Sequence, residues 1–238
     1  MWVGGIHVLE RALASGRLKE VWLTPGMYET IEERFPYLSS VRIVPQRELQ
    51  RRFGEEGSFR VVSRIELPPL SSAEDLVRRA KEEGLPLLLL EELKDPQNLG
   101  SIARSVFHLG GAGIVLTRHR TVPLTPSAIR ASSGYLLEVP CAFIGGAPSF
   151  LLKIKGALPT YATVPEGGIP PWEISLAEGS FLLFGEEGRG LKPLTIRRCD
   201  HILTIPMRRG GESLNVAQCA TALLYEAMRQ RFQGSAGR

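Results

Sequence analysis

The pattern of apolar and polar positions divides the chain into two alternating α/β stretches. In the first, Ile6, Leu9 and Leu13 recur at helical intervals across residues 4–16 and stop at Gly16. A short β-rich run at 19–25 ends at Pro25, and Met27, Ile31 and Phe35 mark a second helix. A strand at 41–45, a helix at 46–54 and a strand at 58–65 complete the unit. The Pro- and Ser-rich stretch 66–72 breaks the pattern. Residues 71–84 then open with a serine cap and an acidic first turn and close at Gly84, as a connecting helix would.

The second stretch begins with LPLLLLEEL at 85–93, an apolar run continuous enough for a strand buried on both faces of a parallel sheet. Further strands are predicted at 112–117, 158–164, 180–185 and 201–206, with helices at 99–109, 125–133, 147–154 and 193–199. A long helix at 214–232 closes the chain, with Ser213 or Asn215 placed to cap it. Such alternation predicts an α/β domain built on a parallel sheet. The expected division is 1–66, a linker and connecting helix at 67–84, and 85–238.

Composition changes this picture little. The chain has 238 residues, 43% of them hydrophobic and 23% charged, and it carries a net charge of +4. A mild basic balance permits a polyanionic partner without requiring one. Arginines do gather at 51–52, 118–120, 197–198 and 208–209. Three cysteines without a CxxC pair and four scattered histidines give no metal-ligand spacing. No run approaches the roughly 20 apolar residues of a membrane span, and the N-terminal residues lack the basic-then-apolar order of a secretory signal. A cytoplasmic protein without metal or membrane partner is therefore expected.

In open α/β sheets, ligands bind in the loops after the carboxyl ends of strands. Three such loops carry chemistry. In DPQNLGSIARS (95–105), Ile102, Val106 and Leu109 form an apolar helical stripe, and Arg104 lies about 200° away from it, on the side of Gly100 and His108. Taken singly, Arg104 fits a solvated helix face and Asn98 an N-cap. Gly100 would let a ligand approach the helix closely. In FGEEGRGL (184–191), glycines follow an apolar strand, but Glu186 and Glu187 argue against a phosphate loop and favour a ligand bearing positive charge or hydroxyls. In the third, IPM (205–207) precedes SLNV (213–216) at the start of the last helix. The GGAG at 110–113 follows a helix rather than a strand, so it is assigned to helix termination.

Together these loops resemble the three motifs of the SpoU/TrmH family of SPOUT methyltransferases. The first, Asn-x-Gly-x-x-x-Arg, is matched by Asn98, Gly100 and Arg104. The second, Gly-x-Glu-Gly-x-Gly, is matched by Gly185, Glu187, Gly188 and Gly190, and the third by Ile205-Pro206-Met207 with Ser213-Leu214-Asn215-Val216. GIHVLERAL (5–13) resembles the opening of the family's RNA-binding N-terminal domain, which is similar to a ribosomal-protein fold. The sequence departs from the family pattern at Arg209, where glycine is usual, and at Ala217, where serine is usual. It also departs at Tyr135 and Leu137, and at 55–61, which lacks a His-Gln-Gly.

The resemblance implies an RNA ribose 2′-O-methyltransferase that uses S-adenosylmethionine. It implies large-subunit ribosomal RNA as substrate, a C-terminal trefoil knot and a homodimer. Arg104 would act as base or phosphate clamp, although free arginine, with a pKa above about 12, is a poor base without help. Asn98 would orient the ribose or Arg104, and Ser213 and Asn215 would hold the 2′-hydroxyl and its phosphate. Gly185, Glu187, Gly188, Ile205, Met207 and Leu214 would bind the cofactor. Gly100, Arg208 and Arg209 would meet RNA. Transfer RNA as substrate, or a non-catalytic RNA-binding or ribosome-assembly protein of the same fold, are the alternatives.

Overall fold

The computed structural model describes residues 1–36, 38, 40–208 and 213–236. Two sheets organise them. The first, of order β1-β4-β2-β3, is made of Trp2–Gly4, Val61–Ile65, Leu18–Leu23 and Val41–Ile43. Helices α1 (Ile6–Ala14), α2 (Pro25–Glu32) and α3 (Gln46–Phe53) connect these strands. The second sheet is parallel throughout, of order β10-β8-β9-β5-β6-β7. Its strands are β5 (Pro86–Leu90), β6 (Gly113–Thr117), β7 (Cys141–Ile144), β8 (Thr160–Thr163), β9 (Ser180–Phe184) and β10 (His201–Leu203).

The apolar run at the start of the second unit is the centre of this sheet. All of β5 is buried. Alternate side chains leave a strand on opposite faces. Accordingly, Leu87 and Leu89 pack with α4 (Ala73–Glu83) and α7 (Ala147–Lys153), while Leu88 and Leu90 pack with α5 (Pro96–Leu109) and α9 (Val216–Ala236). The helix read as a connector thus covers one face of the second sheet, through Leu76, Val77 and Ala80. Two strands escaped the sequence reading. Trp2–Gly4 has three residues and Cys141–Ile144 four, too short for a periodicity to show.

The two sheets are not merely tethered. Val3, Val8, Ala12 and Ile65 join the same buried cluster as Leu88 and Leu90. Helix α6 (Pro126–Ala131) carries Arg130, which is ion-paired with Glu56 and lies 2.9 Å from Glu55. Arg17 Nε donates to the Leu137 carbonyl at 3.1 Å.

Helix α5 starts earlier than the sequence suggested. Asp95 is its N-cap, accepting from Gln97 N at 2.8 Å, with Pro96 in the first turn and Gly110 in the left-handed C-cap position. Asn98 is released from capping. Gly100 also requires correction: it is not an opening for RNA. It is buried, and a Cβ there would sit 2.4 Å from Ala131 Cβ and 2.5 Å from the Ala128 carbonyl. The missing side chain admits α6, not a ligand. Gly100→Ala is therefore expected to overpack this crossing at a cost of about 1–3 kcal/mol, lowering Tm by about 2–12 °C. An unchanged Tm in a thermal melt would restore the open-face reading.

Candidate active site

The second sheet winds β5, β6, β7 to one edge and then builds β8, β9 and β10 on the other side of β5. Ligands in open α/β sheets sit beside such a reversal, at the strand carboxyl ends. A cleft of about 650 Å³ lies there, within the range usual for small-molecule sites. Gly185, Glu187, Gly188, Ile205, Met207, Ser213, Leu214 and Asn215, all singled out from sequence, line it. Asn98 and Arg104 are not among the lining residues.

One wall is the loop after β9. It folds back on itself through a Gly190 N to Glu186 carbonyl bond of 2.8 Å, with Gly188 and Gly190 at φ of 89° and 69°. A Cβ on Gly185 would lie 1.9 Å from the Gly190 carbonyl carbon and 2.1 Å from Leu191 N. No side chain fits between these strands of backbone. The loop's far end is tied to β5 by buried Glu91, whose carboxylate accepts from Lys192 N at 3.0 Å and from Thr195 Oγ1 at 2.8 Å. Lys192 Nζ meets Glu92 at 2.5 Å, and this hydrogen bond holds the Glu92 carboxyl below the ordinary range. Glu186 pairs with Lys94.

The three sequence motifs converge through their side chains. Asn98 Nδ2 donates to Glu187 Oε1 at 2.7 Å, and Asn215 Nδ2 donates to Asn98 Oδ1 at 3.0 Å. Asn215 Oδ1 accepts from Ala217 N at 2.8 Å, so Asn215, rather than Ser213, caps α9. Each amide is oriented by its neighbour, and the carboxylate at the head polarises the series. Glu187 is thus a positioning group as well as a lining residue.

Arg104 stands apart on the exposed side of α5, with Nη1 donating to Ser133 Oγ at 3.2 Å. About 9 Å of helix axis separates it from Asn98. Arg208 is exposed just beyond the lining residue Met207, and Arg209 lies outside the described residues.

Sequence reasoning missed Thr163, Val164 and Pro165, and also Cys219 and Leu223 on the inner face of α9. The first three lie at the carboxyl end of β8, where the strand-end rule points, but they carry no charge or glycine to draw attention. Glu91 was hidden inside an apolar run. Burial pushes the Cys219 thiol up, which fits a lining group better than a nucleophile.

The SpoU rRNA Methylase family model matches residues 86–225. A 23S rRNA (uridine(2479)-2′-O)-methyltransferase of Streptomyces viridochromogenes is 30% identical over 243 residues, covering 98% of this chain and 83% of that protein. The 23S rRNA (guanosine-2′-O-)-methyltransferase RlmB of Pseudomonas syringae pv. tomato is 27% identical over 238 residues, covering 95% and 94%. An AdoMet-bound rRNA methyltransferase from Sinorhizobium meliloti superposes with a TM-score of 0.75 at 25% identity, covering 96% of this chain and 86% of that one. The chain spans a little over half the length of other curated relatives, uncharacterized tRNA/rRNA methyltransferases, matching 54%, 55% and 61% of them. With its family model matched across the whole second sheet and the cleft, this chain belongs to the SpoU rRNA Methylase family.

Proposed function

We propose that the protein transfers a methyl group from S-adenosylmethionine to a ribose 2′-hydroxyl of RNA, with large-subunit ribosomal RNA as the substrate. The observation that carries this reading is the Glu187–Asn98–Asn215 series of hydrogen bonds, which holds the three motif segments together at the cleft. The relatives named for 23S rRNA 2′-O-methylation support the choice of reaction and substrate.

The cleft suits the cofactor on its own chemistry. Leu203, Ile205, Leu214 and Leu223 offer an apolar surface for a purine, and the backbone around Gly185 is bare enough for close approach. Glu187 supplies negative charge on the lining, as a sulfonium prefers. When bound, S-adenosylmethionine supplies an electrophilic methyl group. The chain's own residues do the rest. Backbone at Gly185, Ile205 and Leu214 holds the adenosine end, with Gly188 and Met207 beside it. Ser213 and Asn215 hold the ribose hydroxyl and its phosphate. Asn98, bonded on both sides, keeps Asn215 in register. Arg104 acts from the RNA side, as base or phosphate clamp, on a nucleotide that spans the gap between α5 and the cleft. Methyl transfer then depends mainly on alignment.

The remaining parts of the proposal concern RNA capture and assembly. Residues 1–66 hold RNA on the sheet face where Arg42 and Arg52 stack over Trp22 and Arg64 over Trp2. Arg208 and Arg209 contact RNA at the cleft rim. The C-terminal segment forms the family's trefoil knot. Two cytoplasmic copies pair, using apolar surface such as Tyr225 and Phe232, which are 56% and 69% exposed.

Titration calorimetry tests the enzyme reading. One S-adenosylmethionine bound per chain, displaced by S-adenosylhomocysteine, is the expected result. Absence of binding would sink it and leave a non-catalytic RNA-binding protein.

A further inference from the structure

An aromatic cluster beside Arg104 takes no part in the cleft. Phe107 and His108 follow Arg104 by three and four residues, so they share its face of α5. Both are exposed, Phe107 by 38%. Half-buried Tyr135 packs against them, with ring centroids 4.5 Å from Phe107 and 4.4 Å from His108.

The chain is shaped to bring Tyr135 there. Ser133 and Gly134 both adopt positive φ, 55° and 86°, and the turn passes into a single helical turn at Tyr135–Leu137. That same Ser133 accepts the hydrogen bond from Arg104. Arg11, from α1 of the first unit, places its guanidinium 5.1 Å from the Tyr135 ring centroid and 3.4 Å from Glu138. A Cβ on Gly134 would lie 2.7 Å from Arg11 Cβ, so the first unit is seated directly on this turn. The patch therefore joins α1, α5 and the Tyr135 turn, between the two sheets.

Two exposed rings packed on a third that carries a guanidinium match one kind of occupant. A single-stranded RNA offers an aromatic face at each base and a phosphate on either side of it. Stacking on such rings is worth about 1–3 kcal/mol per base and tolerates every base. Sequence-specific and site-specific proteins splay out unpaired bases in this way. Two guanidiniums border the cluster, Arg11 at 5.1 Å from the Tyr135 centroid and Arg104 hydrogen-bonded to the neighbouring Ser133, and these are the charges offered to the phosphates flanking a stacked base.

We propose that Phe107, His108 and Tyr135 form a stacking platform for an unpaired RNA base next to the nucleotide served by Arg104. The platform rests on the reading of this protein as an RNA-modifying enzyme. It adds to that reading a recognition element: the substrate site is single-stranded on at least one side of the modified ribose.

The test is fluorescence anisotropy of a labelled ten-residue oligoadenylate RNA, with the full chain and without S-adenosylmethionine. Phe107→Ala/Tyr135→Ala is expected to weaken binding by about 5- to 150-fold, the stacking range converted to affinity. Its dependence on salt should be unchanged, because no phosphate contact is removed. Tyr135→Phe should bind like the wild type. Arg11→Gln should lower the salt slope. Wild-type affinity in the double variant, with its thermal melt intact, overturns the platform. So does a wild type that fails to bind the oligonucleotide. A double variant that loses only dimer mass by light scattering also overturns it, and assigns the patch to a second copy of the chain. Cofactor binding measured separately by calorimetry keeps the outcome distinct from a failure of the methyltransferase reading.

Discussion

Replacing Arg104 with alanine is expected to lower methyl transfer by about 10²–10⁴-fold, the usual range for a positioned proton-transfer group. The fold should survive. Arg104 is exposed, and its hydrogen bond within the chain goes to Ser133, an exposed contact. Cofactor affinity should also survive, because Arg104 is absent from the lining of the cleft. The loss should therefore appear in single-turnover transfer while calorimetric binding of S-adenosylmethionine is unchanged. Arg104→Lys separates two forms of the phosphate clamp. A phosphate clamp is served in part by a point charge, whereas a fork bound to two oxygens is not. Full activity in Arg104→Ala would remove the residue from the reaction.

Gly185→Ala is expected to abolish measurable cofactor binding. The added methyl would lie 1.9 Å from the Gly190 carbonyl carbon and 2.2 Å from its oxygen. Both obstacles are backbone, so the loop from Glu186 to Gly190 must move as a body. That movement would carry Glu187 off Asn98, breaking a charge-assisted bond worth about 1.5–3 kcal/mol. Transfer should fail with cofactor affinity, unlike in Arg104→Ala. Gly188→Ala makes a useful control. Nothing lies within 4 Å of a Cβ there, so only its positive φ of 89° opposes the change. Equal affinity in Gly185→Ala and wild type, by calorimetry, would show that the loop does not form the cofactor wall.

Much of the architecture was legible because the parallel sheet writes itself in apolar runs. The run at 85–93 needs cover on both faces, and Leu87 to Leu90 receive it from alternate sides. Short strands were less visible, since Trp2–Gly4 and Cys141–Ile144 take their character from neighbours rather than from a repeat. The helix at Ala73–Glu83 looked like a connector because its place in the sequence says nothing about which sheet its apolar face will cover.

At the site, the motif glycines illustrate the limit of reading by residue type. Gly185 and Gly100 are both motif glycines in sequence, one directly after a strand and one in a predicted helix. One keeps backbone close to backbone at the cleft wall, and the other admits α6 deep in the core. Only the packing distinguishes them. Asn98 likewise had the chemistry of a helix cap, but Asp95 performs that task, leaving the amide to join Glu187 and Asn215. The partners are 89 and 117 positions away in sequence, beyond any local pattern.

The central claim is that this chain methylates a ribose 2′-hydroxyl of RNA, and one product analysis tests it most directly. In-vitro-transcribed large-subunit ribosomal RNA would be incubated with the protein and S-adenosylmethionine labelled in its methyl group. The RNA would then be hydrolysed in alkali, which cleaves next to a free 2′-hydroxyl and spares a methylated one. Label in an alkali-resistant dinucleotide, absent with Arg104→Ala, is the expected result. Label released in a mononucleotide, as base methylation would give, or no label in RNA under conditions where the cofactor binds, would contradict it.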